Sequence, residues 1–359
     1  MGTLTLLKIA LLGWLLSALS ACTTMAYYMQ AIQGHLSLIS QAQPISDYLA
    51  TDAESPLAIK LRQVQKIRAF ASRELGLPDN ASYSHYADIG RPYVVWNVYA
   101  APELSTELLR WCFMVVGCVE YRGYFDKEDA QQFADGLRAQ GYDVFVGGAR
   151  AYSTLGWFAD PVLNTFVNAP EAEIARLIFH ELAHQLLYIP GDAEFNESFA
   201  TVVELAGVER WLEKHGSPEM YQRFLTLRQR RKELVELILK FREQLDSLYQ
   251  SNLSVEEKRA AKRDKLQELW RNYAALKQNW QGWSGFDHWL GTGTLNNAHL
   301  GSIVTYSKWV PALTMLLSQQ NGKLTDFYAA AAVLAKQTKS EREKNLAALL
   351  PVNPFLNQQ

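Results

Sequence analysis

Cysteine is scarce in this chain, with three in 359 residues, at positions 22, 112 and 118. So few thiols exclude a disulfide-built scaffold, and without matching histidines Cys112 and Cys118 make a poor zinc site. Charge of one sign is also lacking, since the formal net charge is −2. No global field draws the protein to nucleic acid or to an anionic membrane, and no nucleic-acid partner is expected. Internal repeats and low-complexity tracts are absent, which excludes solenoids and linker-like arrays. The early apolar run from Ile9 to Leu19 is too short to span a bilayer as a mature helix. What remains is ordinary for a folded protein. With 48% hydrophobic and 20% charged residues, the chain can bury a real core in one large domain or two modest ones.

The N-terminus carries its own signal. Lys8 is the only early charge, the apolar run follows it, and Leu19-Ser20-Ala21-Cys22 closes the segment. This reads as a signal-peptide core over residues 1–21. Small residues before a cysteine resemble the lipobox of bacterial lipoproteins, in which Cys22 becomes the acylated first residue. The other reading is an ordinary signal peptide with an incidental cysteine. Thr23, where no aspartate stands, implies sorting to the outer membrane in that family pattern. Lipid on Cys22 would tether a soluble body in the cell envelope, facing the periplasm, with no spanning helix. Outside the cytoplasm Cys112 and Cys118 are a disulfide or two buried thiols.

Hydrophobic periodicity assigns an α+β fold that is mainly helical, with a small β-sheet. Helical spacings run from 23 to about 75. Residues 93–99 and 111–119 read as strands, 126–140 as a helix closed by Gly141, and 142–146 as a further strand. Tyr152 to Phe158 reads as one more strand. Pro170 with Glu171 and Glu173 opens a helix, capped by Asn168, that runs to about Tyr188. After Pro190-Gly191, Asp192 caps a second helix reaching His215, where Gly216 stops it. Residues 219–280 carry an apolar stripe of Leu234, Ile238, Phe241, Leu245 and Leu248 in a highly charged background. Ser254 and Glu257 restart the helix as a capping box, so this region is a long antiparallel helical hairpin. It is a charged insertion packed on the domain or, as the sharper alternative, an arm for a protein partner. The chain divides into an N-terminal α+β region, 22–150, and a second region, 151–359, that includes the hairpin.

Chemistry concentrates at His180-Glu181-Leu182-Ala183-His184. Residues four apart share a helix face, so both imidazoles reach one ion, and Glu181 is set to take a proton from metal-bound water. Zinc suits neutral imidazole and takes about four ligands, one of them left open in a catalytic site. The surrounding Ile174, Leu177, Ile178, Leu182, Leu186 and Leu187 make this a buried helix, in which two histidines and a glutamate need partners. Satisfied core histidines are the bland alternative. Glu197, on the next helix, is the expected third ligand. Glu194 and Glu204 are its rivals, the latter also able to orient a ligand from behind.

These segments, with Asn196-Glu197-Ser198-Phe199-Ala200, resemble the gluzincin metallopeptidases, and in motif the membrane-alanyl aminopeptidases most closely. Two departures are visible: only 12 residues separate His184 from Glu197, and the GAMEN amine-binding motif is missing. The whole chain resembles a bacterial family of aminopeptidase lipoproteins. Cys118-Val119-Glu120-Tyr121-Arg122-Gly123-Tyr124-Phe125, the zinc segments, and Asn296-Asn297-Ala298 before Tyr306 carry that likeness. The resemblance implies a zincin-like fold, Zn2+ as cofactor, and a peptide substrate. By analogy with gluzincin tyrosines it also implies Tyr306 as an oxyanion donor beside the catalytic Glu181; a core tyrosine is the other reading. Thr154-Leu155-Gly156-Trp157 would line the cleft as an edge strand, or be a simple buried strand. Arg122 would bind a substrate carboxylate or form a structural ion pair.

Three functions follow. The first is a zinc peptidase, in particular an aminopeptidase. The second is a lipid-anchored chaperone or assembly factor with weak or regulated proteolysis. The third, a catalytically idle zinc-stabilised lipoprotein, is disfavoured by the intact Glu181.

Overall fold

The structure, a computed structural model, describes residues 25–113, 116–290, 295–305 and 307–350. Helix α1 covers residues 25–40. Strand β1 (Gln43–Pro44) leads to α2 (Ile45–Thr51) and α3 (Pro56–Arg73). Ser55 starts α3 by accepting a hydrogen bond from the Ala58 amide, and Pro56 sits where its missing N–H costs nothing. Five short strands follow: β2 (His85–Ala87), β3 (Val95–Pro102), β4 (Trp111–Phe113), β5 (Gly117–Val119) and β6 (Arg122–Tyr124). Helix α4 (Lys127–Ala139) and strands β7 (Tyr142–Ala149) and β8 (Val162–Leu163) complete the mixed region. The rest is helical: α5 (Asn164–Val167), α6 (Glu171–Leu186), α7 (Ala193–His215), α8 (Pro218–Gln250), α9 (Val255–Asn279), α10 (Asp287–Leu290), α11 (Asn297–Thr305), α12 (Val310–Gln319), α13 (Leu324–Ala335) and α14 (Lys339–Leu349). The fold is α+β and mainly helical. Among the described residues no helix is long and apolar enough to cross a membrane.

Strand β3 is the centre of an antiparallel sheet in the order β6-β3-β7, with Val98 opposite Val146 and Arg122. Its period-two alternation serves two layers. Trp96, Val98 and Ala100 pack on Ala130, Ala134 and Leu137 of α4, while Tyr99 and Ala101 meet Ala298 of α11. A second sheet joins β2 to β1 antiparallel and to β8 parallel. The largest core gathers Leu38, Ile67 and Phe70 with Ile178, Phe179, Phe199 and Trp211, and then Leu313, Phe327 and Leu346. It therefore draws on both sides of position 150.

The helical hairpin has its own core, in which Leu234, Ile238, Phe241 and Leu245 of α8 close on Leu269 and Tyr273 of α9 and on Leu300 of α11. The hairpin lies against the body along its length. Arg259 grips Glu103 through Nε at 2.9 Å, Lys262 meets Asp143 at 2.6 Å, and Arg242 meets Glu107 at 3.0 Å. Asn297, part of the Asn-Asn-Ala motif, accepts from the Tyr249 hydroxyl at 2.9 Å and donates to the Glu103 carbonyl at 2.9 Å, tying α8 and α11 to the loop after β3.

Three sequence expectations need correction. Residues 111–119 form two strands, β4 and β5, in which Cys112 faces Cys118 and the two are joined by a disulfide. Residues 152–158 form no strand. Leu155 (φ 56°) and Gly156 (φ 82°) turn the chain there, and the buried Asp160 carboxylate holds the loop through the Thr154 amide and hydroxyl. Asn168 does not cap α6; it ends α5, and α6 starts behind Pro170 without a side-chain cap.

Candidate metal centre

Helix α6 is buried on most sides. Ile174, Ile178, Phe179 and Leu182 fill the core, and the polar residues His180, Glu181 and His184 are buried with them. Helix α7 packs antiparallel to α6, closely enough that a Cβ on Gly207 would stand 2.7 Å from the Phe179 ring and 2.8 Å from Leu75. The turn between them is fixed from several directions. Asn196 clasps it, accepting from the Ile189 amide and donating to the Ile189 carbonyl, both at 2.8 Å. Asp192 caps α7 through the Phe195 amide and pairs with the buried Arg342 of α14 at 2.5 Å. The β4–β5 hairpin presses on the same turn. Gly117 lies against the Pro190–Gly191 backbone, where any Cβ would collide, and the Gly191 amide donates to Val116 at 3.1 Å.

Across this helix pair three ligand atoms converge. His180 Nε2 stands 3.1 Å from His184 Nε2 and 3.2 Å from Glu197 Oε2, and His184 Nε2 stands 3.6 Å from the same oxygen. Two metal bonds of about 2.1 Å at a tetrahedral angle put their donors about 3.4 Å apart. The three edges fit that size. In a neutral imidazole whose Nδ1 donates to Glu204, 2.9 Å away, Nε2 would be the free lone pair able to bind a cation. Turned toward one another in this way, the three atoms could hold a metal ion. His180, His184 and Glu197 form the one such group among the described residues. Nδ1 of His184, also buried, meets no partner among the described residues, so a carboxylate orients only His180.

Glu204 lies two turns beyond Glu197 on the same face of α7 and is held from behind by Arg176 at 3.1 Å and Arg231 at 3.7 Å. Burial pushes its carboxyl up, but the Arg176 charge and the His180 hydrogen bond outweigh burial and bring it below the ordinary range. Burial likewise opposes a charge on His180, yet its bonds to Glu197 and Glu204 raise it to about 10 when no metal is present. Glu197 is lowered to about 2: burial works against its charge, and His184 together with the hydrogen bond to His180 overcomes that. Glu181 goes the other way. Burial raises its carboxyl, the two imidazoles partly offset this, and the Glu197 and Asp160 charges add to it.

The other sequence candidates sort plainly. Glu194 is turned to Lys308 at 2.7 Å. Glu171 accepts from the Trp211 indole at 2.7 Å, and Glu173 pairs with Arg176 at 2.9 Å. Among the described residues Arg122 forms no ion pair: its guanidinium lies over the rings of Tyr27 (4.1 Å) and Phe133 (4.7 Å). Tyr306 and Cys22 lie outside the described residues. Sequence reasoning missed Tyr121. Burial, then the charges of Glu197 and Glu181, hold its phenol well above the ordinary range, which puts that hydroxyl within their field. Tyr188 feels Glu197 as well and, chiefly through burial, is raised to about 12. Gln185, directly after His184, was also missed; its amide donates to Ser82 and to Asp160, linking the metal helix to the 152–160 loop.

A family model described as "Putative aminopeptidase" matches residues 26–346. The chain belongs to this family. The match includes the whole His-His-Glu group, the disulfide hairpin and the α8–α9 hairpin, so it covers nearly all of the described body and not α6 and α7 alone. No curated protein and no solved structure matches.

Proposed function

We propose that this member of the aminopeptidase family is a zinc-dependent peptidase that removes residues from the free N-termini of peptides. The observation that carries the reading is the convergence of His180, His184 and Glu197 within 3.6 Å of one another, with Glu181 buried beside them. Zinc held by these three would polarise the scissile carbonyl and acidify water next to it. Glu181 accepts the proton of the attacking water. Its raised proton affinity suits it to carry that proton on to the leaving amine. Glu204 and Arg176 keep His180 in the tautomer whose Nε2 faces the ion. Tyr121, a buried phenol within the field of Glu197 and Glu181, is the candidate donor to the oxyanion that develops on the substrate. Glu171, Glu173 and Glu194 each pair with another side chain, which argues against them as the amine-binding groups.

We place the protein in an oxidising compartment of the cell envelope, tethered by lipid on Cys22. The Cys112–Cys118 disulfide and the Leu-Ser-Ala-Cys segment support that placement. A chaperone whose hairpin grips a partner is less well supported, since the α8 stripe is spent inside the hairpin and its charges grip the body.

The test uses purified protein and a peptide library with free and acetylated N-termini. Expected are cleavage of the free set, loss of turnover on chelation, and recovery with zinc. Turnover indifferent to a strong chelator would end the reading.

A further inference from the structure

One surface of the molecule is built for something other than water. On α1, Met25, Met29, Ile32 and Leu36 recur at intervals of four, three and four, so they form a single stripe along the helix. All four are exposed, at 64%, 46%, 53% and 58%. The opposite side of α1 is already committed to the body: Leu38 is in the main core, and Gln30 accepts from the Phe125 amide and donates to the Gly123 carbonyl. The stripe is therefore left over after folding.

It is also uncharged. No Asp, Glu, Lys or Arg occurs between Lys8 and Asp47, whereas a helix face turned to water normally carries several. His35 sits on the flank of the stripe, and burial lowers its affinity for a proton. It bonds the Tyr152 hydroxyl and packs on Phe158 with ring centroids 4.6 Å apart. Phe158 (51% exposed) and its neighbour Trp157 (76%) thus continue the apolar surface from α1 onto the 152–160 loop. Isolated exposed apolar residues mean little, but six that run together without a charge mark an interaction face.

We propose that this face, Met25, Met29, Ile32 and Leu36 with Trp157 and Phe158, docks in the interfacial layer of a lipid bilayer. The length of chain preceding α1 selects lipid over a protein partner. Cys22, the lipid attachment point of the proposed tether, stands three residues before Met25, a stretch that spans about 10 Å when fully extended. The docking rests on that tether: acyl chains on Cys22 enter the bilayer, and the short stretch after it holds α1 within reach of the same medium. Aromatic residues at the far end of the patch suit the headgroup boundary, and the lack of acidic residues before Asp47 leaves nothing there to repel anionic lipids. The docking fixes orientation too. The 152–160 loop is held to Gln185, next to His184, through Asp160, so the docked loop is linked to the helix that carries the candidate metal group.

The full chain, reconstituted in phosphatidylcholine vesicles, is fitted with a photo-reactive phenylalanine analogue in place of Leu36, of Trp157 or, as a control, of Leu253 at the hairpin tip. Each of these side chains is exposed, so the fold should tolerate the change. Expected are lipid adducts at positions 36 and 157, at least tenfold above those at 253. Vesicle flotation with no lipid adduct at 36, or an adduct there to a second copy, overturns the docking while leaving the Cys22 tether intact. Failure to float at all overturns both. In a second measurement, Met29→Glu with Leu36→Glu should cut the adduct at 157 several-fold; an unchanged yield would also overturn the proposal.

Discussion

Glu204 accepts a hydrogen bond from Nδ1 of His180 at 2.9 Å while Arg176 holds the same oxygen, Oε2, at 3.1 Å. The carboxylate therefore acts on His180 without being one of the three convergent ligand groups. Glu204→Gln keeps the shape but removes the charge. Zinc affinity is expected to fall about 10- to 100-fold, the usual cost of losing such a supporting carboxylate. Competition with a chromogenic chelator measures it. Unchanged affinity would mean that His180 needs no orientation from behind.

Glu181→Gln separates binding from chemistry. Glu181 is not one of the three convergent ligands, so metal content by mass spectrometry should stay near one zinc per chain. Turnover should drop about 10²- to 10⁴-fold, the range for loss of a general base. A variant that cleaves as fast as the parent would remove Glu181 from the mechanism.

Metal-free protein should show a particular dependence of stability on pH. His180 is raised to about 10 in the fold, against an ordinary 6.5. The folded form holds that proton more tightly, so its contribution is complete below pH 6.5 and is lost as pH rises toward 10. Glu197, lowered to about 2 from an ordinary 4.5, contributes above 4.5 and loses that as pH falls toward 2. The two shifts describe one coupled pair, so they do not add. The Tm of chelated protein should therefore plateau between about pH 4.5 and 6.5 and decline on either side. Zinc-loaded protein should lack the alkaline decline caused by His180. A Tm that climbs between pH 7 and 10 after chelation would contradict the pairing.

What the sequence made legible was local. The His180–His184 spacing is one helical turn, and Asp192 and Gly216 mark the limits of α7 by cap chemistry that depends on near neighbours. The α8–α9 hairpin was readable for the same reason, from its stripe and from the Ser254–Glu257 box. The failures were non-local or hidden in composition. Residues 111–119 are strand formers on both sides of a turn, and only the Cys112–Cys118 pairing shows that the run doubles back. Residues 152–158 have strand composition, but Asp160, further along, curls them into a loop. Tyr121 comes near Glu197 only because the chain folds β5 and β6 next to α7, and no local pattern encodes that.

The Cys112–Cys118 bond closes a loop with five residues between the two cysteines, so its effect on the unfolded chain is modest, about 2 kcal/mol in the loop-entropy account. Replacing both with serine should lower the Tm by several degrees and no more. The larger expected effect is on the site. The β4–β5 hairpin contacts the Pro190–Gly191 turn, where Gly191 donates to Val116 and Tyr188 donates to the same carbonyl at 3.3 Å.

Tyr121, directly after that hairpin, stands in the field of Glu197 and Glu181. Removal of its hydroxyl in Tyr121→Phe should leave zinc content and Tm unchanged. It should lower kcat about 10²-fold with little change in KM, because a donor to the developing oxyanion acts in the transition state and not on bound substrate. The disulfide variant should then show part of the same kcat loss, since it loosens the segment that carries the phenol. Combined with Tyr121→Phe, the two losses should be less than multiplicative, as expected when both act through one hydroxyl. A fully multiplicative double variant would mean that the disulfide supports catalysis by some other route, and a Tyr121→Phe enzyme with unaltered kcat would take the phenol out of the reaction.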